Sequence, residues 1–451
     1  MYMHEKRYFK NVLMVILLSV STVLEAQYHM DMVDTTTAVG QNMFGLYKRF
    51  NALRLTGYIQ SQFQVAESKG AKSFAGGDFA PNVDNRFMLR RSRVRFDYAT
   101  FTDAKMPKTQ FVFQLDATER GVNVRDAWGR FFENKYNCFA FTTGIFARPF
   151  GFEINYSSGD RESPERGRMS QILMKTERDL GAMISFIPQK KDNPLKHLQA
   201  DLGVFNGQGL GGPVEYDSYK DIIARIQFKK LPLSKNVFLN VGASYLNGGI
   251  RQNSKSVFKM NDNATDFALV SDSLNIGSRL PRTYLGMDAQ LKIENPFGNT
   301  ELRVEFVTGT QTATDANSET PGAAVNEPLF VRPFTGAYFY LLQNIGKKHQ
   351  FALKYDWYDP NSNVAADNLK AGTSLTSADV QYSTFGFGYI YYMNENLKWV
   401  AWYDVITNEK TQLAGFTDDV KDNILTLRAQ YRFWKSEFFT FTTNEQKLQN
   451  R

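Results

Sequence analysis

The sequence predicts an all-β fold: a transmembrane antiparallel up-and-down β-barrel of about 16 strands, with short turns at one end and long loops at the other. Three observations carry that expectation. Short amphipathic strands recur from about residue 53 to residue 433, and the connections between them alternate in length. Between those limits no stretch is apolar enough to cross a bilayer as a helix. A closed sheet is the other structure that satisfies every backbone polar group inside lipid.

Candidate strands in the first half run over 53–65, 87–101, 109–117, 122–132, 139–146, 180–187, 198–205 and 221–231. The second half offers 237–246, 283–293, 300–310, 331–344, 349–358, 380–392, 397–407 and 423–433. Alternation gives most of these two distinct faces. In the last strand Leu425, Leu427, Ala429, Tyr431 and Phe433 share one face, while Thr426, Arg428, Gln430 and Arg432 share the other. Over 221–231, Ile222, Ala224, Ile226 and Phe228 lie opposite Arg225, Gln227 and Lys229. Over 283–293, Leu285, Met287, Ala289, Leu291 and Ile293 lie opposite Asp288, Gln290 and Lys292. A charge facing mid-bilayer lipid costs about 2–4 kcal/mol, so the polar faces are expected to line a wet lumen. The runs 122–132 and 380–392 alternate less cleanly.

The connections are an independent signal. Short turns rich in Pro, Gly, Asn or Lys fall at 102–108, 133–137, 189–196, 232–236, 295–299, 346–348 and 393–396. Between them come long segments at 66–86, 147–179, 206–220, 247–282, 311–330, 359–379 and 408–422, with 118–121 the exception. Barrels of this type keep short turns on the periplasmic side and long loops outside. A soluble sandwich has no reason to hold that parity over a whole chain.

Composition agrees. Aromatic residues make up 14% of the 451 positions, with 37 Phe and 22 Tyr, as two interfacial girdles require. The negative mean hydropathy is no objection, because only alternate residues face lipid. The net charge of +7 is spread through strands and loops and does not gather on one helix or tail, which argues against a nucleic-acid partner. Cys138 is the single cysteine, so an intrachain disulfide is excluded.

The N-terminus reads as a secretory signal over 1–26: Lys6, Arg7 and Lys10 precede an apolar core at 12–24, and Ala26 is a plausible last residue. Residues 27–52 form an expected periplasmic arm, 53–433 the barrel, and 434–451 a tail of unknown role. This organisation implies the bacterial outer membrane, with its lipid as a partner.

The segment Leu89-Arg90-Arg91-Ser92-Arg93-Val94-Arg95-Phe96 resembles the basic second strand of the phosphate-selective porin O and P family. The resemblance continues through Phe113-Gln114-Leu115-Asp116 and Val124-Arg125-Asp126-Ala127-Trp128. It is clearest over Gly144-Ile145-Phe146-Ala147-Arg148-Pro149-Phe150-Gly151-Phe152-Glu153, then Tyr156-Ser157-Ser158, Glu165-Arg166 and Glu177-Arg178-Asp179-Leu180-Gly181. It is specific over about residues 85–185 and architectural beyond them. It implies an outer-membrane porin, a water-filled channel for small anions such as phosphate, commonly a homotrimer.

The residues support an anion path on their own terms. Arg91, Arg93 and Arg95 recur at i, i+2 and i+4, so a strand aims all three the same way, roughly 7 Å apart. Conduction needs several weak sites within hopping distance. Arginine suits phosphate because its planar fork pairs oxygens two at a time. Arg125, Arg225, Lys229, Arg428 and Arg432 are further expected lumen residues. The alternative is that these cations pair with lumen carboxylates such as Asp97, Asp116, Asp126, Asp288, Glu305, Asp356 and Asp404, and only brace the wall of a weakly selective general porin. An adhesion or scaffold barrel carrying its information in the polar loop 247–282 is a further alternative.

The loop 147–179 follows the fifth strand, the place where porins narrow their bore. If it folds inward, Arg161, Arg166 and Arg168 are candidates for the constriction; if outward, its charges pair locally. An enzyme is not expected. The histidines are His4, His29, His197 and His349, and none falls beside a candidate nucleophile. No metal-ligand spacing or phosphate-binding loop occurs, so neither metal nor cofactor is expected. Residues 27–52 are far too few for the plug of a large active transporter.

Overall fold

A computed structural model describes residues 53–104, 106–212 and 215–433. The expected signal at 1–26, the arm at 27–52 and the tail at 434–451 lie outside the described residues. The barrel belongs to the compact unit Leu55–Arg451.

The strands are β1 (Leu53–Ala66), β2 (Asn85–Phe101), β3 (Pro107–Thr118), β4 (Gly121–Phe132), β5 (Phe139–Ala147), β6 (Arg178–Phe186), β7 (Leu198–Phe205), β8 (Asp221–Ser234) and β9 (Val237–Arg251). They continue as β10 (Ser256–Met260), β11 (Phe267–Ser271), β12 (Arg279–Asn295), β13 (Gly298–Ala313), β14 (Leu329–Ile345), β15 (His349–Asp359), β16 (Tyr382–Tyr392), β17 (Leu397–Asn408) and β18 (Ile424–Phe433). Sixteen of them build the wall, each antiparallel to its neighbours, and β1 closes the ring against β18 from Gly57↔Phe433 to Ala66↔Ile424. Closure removes the sheet edges that lipid could not solvate. Among the described residues no helix is long and apolar enough to cross a membrane.

The predicted faces are present. Ile222, Ile226 and Phe228 are exposed on the outside of β8 while Arg225 is buried inside; Leu425, Leu427 and Tyr431 are exposed on β18 while Thr426, Arg428 and Gln430 are buried. Phe111, Phe141, Ile184, Leu202, Phe306, Phe339, Phe351, Phe387 and Trp399 extend the same outer apolar surface around other strands.

Two strands with weak alternation have identifiable causes. Between β3 and β4 the register shifts: Asp126 pairs with Gln114 and Val124 with Leu115, leaving Arg125 as the extra residue of a bulge. On β16 the inward positions Gly386 and Gly388 carry no side chain because the indole of Trp402 covers them. A Cβ at Gly388 would lie 2.2 Å from that ring.

The expectation of a single long polar loop over 247–282 is corrected. It contains the hairpin β10–β11, and β10 pairs in parallel with β14 from Val257↔Leu329 to Lys259↔Val331. The hairpin is held by apolar packing: Phe258 stacks on Phe330 at 4.2 Å, and Phe267 meets Phe330 edge-on at 5.0 Å.

Candidate functional site: the inward loop and the basic wall

The segment between β5 and β6 folds into the barrel and carries the one described α-helix, α1 (Arg168–Leu173). Its apolar side chains Phe150, Ile154, Met169, Ile172, Leu173 and Met174 pack on Leu246, Tyr284, Val307, Phe334, Tyr338 and Tyr358 of the wall. Burying each such side chain contributes about 1.5–3 kcal/mol relative to leaving it in water. That apolar face is what turns the loop inward, and the alternative of an outward loop is set aside.

Polar contacts hold the loop around most of the bore. On one side the Gly151 amide donates to Ser244 Oγ of β9 at 3.0 Å, and the Phe152 and Glu153 amides donate to Glu305 of β13 at 2.9 and 3.0 Å. The Arg168 amide donates to Asp356 of β15 at 3.1 Å. On the other side Tyr58 of β1 and Arg93 of β2 meet Ser158 Oγ at 2.7 and 2.6 Å. Lys398 of β17 donates to the carbonyls of Gly159 and Arg161 at 3.3 and 3.0 Å.

The centre of this arrangement is Glu165. It accepts from Arg90 at 2.8 Å, from Arg91 at 2.6 Å and from Arg428 at 3.2 Å. Burial opposes ionisation there, but the three guanidinium groups override it and hold the carboxyl well below the usual range. Arg90 and Arg91 are sequence neighbours and both reach the same carboxylate, so the strand's alternation changes phase between them. Arg86, Met88 and Arg90 are inward on one side of that change, Arg91, Arg93 and Arg95 on the other.

Each expected lumen residue has a defined place. Arg91 and Arg93 are 7% and 5% exposed, the latter bound to Asp116 at 2.8 Å. The expectation that these faces are wet is therefore corrected for them: the inward loop and β3 supply carboxylates that pair with both. Arg95 stays more open, with 32% of its side chain exposed, and forms a bidentate pair with Asp97 at 2.8 Å. Arg125 reaches Glu177 at 2.8 Å, and Arg225 binds Asp288 at 2.7 Å. Lys229 is exposed and donates to Gln199 at 2.6 Å, with no carboxylate partner among the described residues. Arg428 belongs to the Glu165 cluster, and Arg432 pairs with Asp160 at 2.7 Å.

The three loop arginines differ. Arg166 binds Glu177 at 3.0 Å. Arg168 lies 3.6 Å above the ring of Tyr382 and 4.6 Å from that of Phe74. Arg161 is 4% exposed, and its Nε and Nη1 have no hydrogen-bond partner among the described residues. Arg303, which binds Glu162 at 2.8 Å and stands 4.5 Å over Tyr156, was not among the expected site residues. Neither was Lys398. The signal for both was their inward parity on β13 and β17. The Arg90-Arg91 doublet was the visible sign of the phase change.

Among the described residues no group of His, Cys, Asp and Glu side chains is placed to hold a metal ion.

Known structures resemble this barrel. OprB of Pseudomonas putida, in its high-pH structure, superposes with a TM-score of 0.55 at 10% identity, covering 87% of this chain and 97% of that one. OmpT of Vibrio cholerae, described as a trimer form, gives a TM-score of 0.49 at 11% identity over 84% of this chain and 99% of that one. Comparison with family models and with curated proteins finds no match. The likeness to OprB shows the fold, a closed β-barrel. A closed 16-stranded sheet with an apolar outer surface and a charged interior is built for lipid outside and water within, and the chain is a β-barrel of the bacterial outer membrane.

Proposed function

We propose that the chain is a diffusion channel that passes small polar solutes and favours small anions, phosphate-type anions included, without catalysis, metal or cofactor. One observation carries the preference. β2 alone turns Arg86, Arg90, Arg91, Arg93 and Arg95 toward the bore against a single carboxylate of its own, Asp97. Guanidinium groups crowded on one wall of a low-dielectric tube focus a positive potential on whatever passes. Arg95 is the ladder member left open enough to meet a solute, and Lys229 adds an exposed cation toward the short-turn end. The segments that resemble the phosphate-selective porin family fit this reading, and assembly as a homotrimer belongs to it.

The ion pairs favour a modest preference rather than a strict one. With Arg91 committed to Glu165 and Arg93 to Asp116, much of the ladder's charge is neutralised locally, which is the situation of a weakly selective general porin. Reversal potentials in planar bilayers under a potassium chloride gradient test the proposal. Anion preference is expected, reduced by Arg95→Ala. Clear cation selectivity of the purified channel would overturn it.

A further inference from the structure

One lumen feature is not explained by charge. Register places Asp97 of β2, Val112 of β3, Trp128 of β4 and Gly144 of β5 in one row across the wall. The neighbouring rows put Arg95 on one side of Trp128 and Arg130 on the other. Gly144 has φ +121°, and a Cβ there would lie 2.8 Å from the Trp128 Cα, so a glycine is what lets β5 pass this close to the Trp128 backbone. Trp128 packs on the main apolar cluster and still remains partly exposed. Among the described residues its indole N–H donates to no protein group, which a tryptophan tolerates only where water or a solute reaches it.

Two guanidinium groups flank this ring without covering it. Arg95 is 6.0 Å and Arg130 5.3 Å from the ring centroid, whereas Arg168 sits at 3.6 Å on Tyr382. Arg95 is held by Asp97, but Arg130 donates through Nε to Thr142 at 2.7 Å and meets no carboxylate among the described residues. A bare inorganic anion gains nothing from an aromatic face. A ring that stacks on it gains burial and ring-to-ring attraction, while its charged group meets the fork of Arg130.

We propose that Trp128, with Arg95 and Arg130, forms a solute site for organic anions that carry a ring beside a phosphoryl or carboxyl group. This rests on the reading of the chain as an anion-favouring channel and names the solute class that reading leaves open. The test is block of chloride current in planar bilayers by phenyl phosphate and by inorganic phosphate, with the reversal potential measured on the same wild-type channels. Phenyl phosphate is expected to half-block at a concentration about tenfold lower, the worth of one good stacking contact. Trp128→Ala should collapse the ratio toward one, and Trp128→Phe should retain part of it. Equal block of the wild type by both probes, with anion preference intact, overturns the site and leaves the channel reading standing. A ratio that survives Trp128→Ala also overturns it. Ring-dependent block without anion preference upholds the site and overturns the selectivity reading.

Discussion

Replacing Glu165 by Gln removes the charge on which three wall arginines converge. In the folded barrel that carboxylate accepts from Arg90, Arg91 and Arg428 at 2.6 to 3.2 Å and is 7% exposed. A buried cation stripped of its partner costs about 3–5 kcal/mol, and the amide that remains can compensate only part of this. At about 1.4 kcal/mol per decade, the population with residues near 165 detached from β2 and β18 rises by roughly two to three powers of ten. The loop does not leave the bore, because its apolar face and the Glu305 contacts are untouched. Two readouts are expected to move together. Amide exchange over 148–177 should accelerate, and anion preference should increase, because three guanidinium charges lose their counter-ion. Unchanged heat-modifiable migration on gels would show that the barrel itself is intact. Normal exchange together with unaltered selectivity in Glu165→Gln would refute the assignment of Glu165 as the latch. The pH dependence has the same origin. The folded-state pKa lies well below the unfolded value, so the latch is at full strength above the ordinary carboxylate range and weakens only as pH falls toward the depressed pKa. The Glu165 latch should therefore add no pH dependence of its own from neutrality down to about pH 5, so the ratio of loop exchange in Glu165→Gln to that in the wild type should stay constant over that range.

Three other outcomes follow from single sites. Trp402 is 1% exposed and covers Gly386 and Gly388, so Trp402→Ala should cost about 3–5 kcal/mol and lower the temperature at which the barrel unfolds on gels. Ile226→Lys, on the lipid face, should cost about 2–4 kcal/mol, whereas Gln227→Lys, one residue on and facing the lumen, should be nearly neutral in the same refolding assay. Burial, assisted by Asp419 and opposed by Arg168, pushes the Asp422 carboxyl up to about 6. The folded state then favours the protonated form, so the loop 409–423 should become more stable as pH falls from 7 toward 5. Asp422→Asn should weaken that dependence, leaving the smaller part due to Glu409, which burial also pushes up, as read by amide exchange.

The fold was legible because its signals are local. Side chains of a strand alternate with period two whatever the strand pairs with, and lipid on one side and water on the other force that alternation into the residue types. β8, β12 and β18 could be assigned their faces from residue type alone, and the long and short connections gave the parity of the strands. The weak spots were equally local in cause: an extra residue at Arg125, and inward glycines on β16 whose indole cover comes from the next strand.

The site was legible only as a set of arginines. What they do depends on partners far away in the chain: Glu165 lies 74 residues from Arg91 and 263 from Arg428, and Ser158 lies 65 from Arg93. Neither period nor propensity links such positions, because pairing is set by where the loop between β5 and β6 comes to rest, and its apolar face against β9 and β12–β15 governs that. Backbone geometry and the solvent on each side therefore wrote the barrel into the residue order. Which charges stand open to a solute, and which neutralise one another, was fixed only when the loop packed inside.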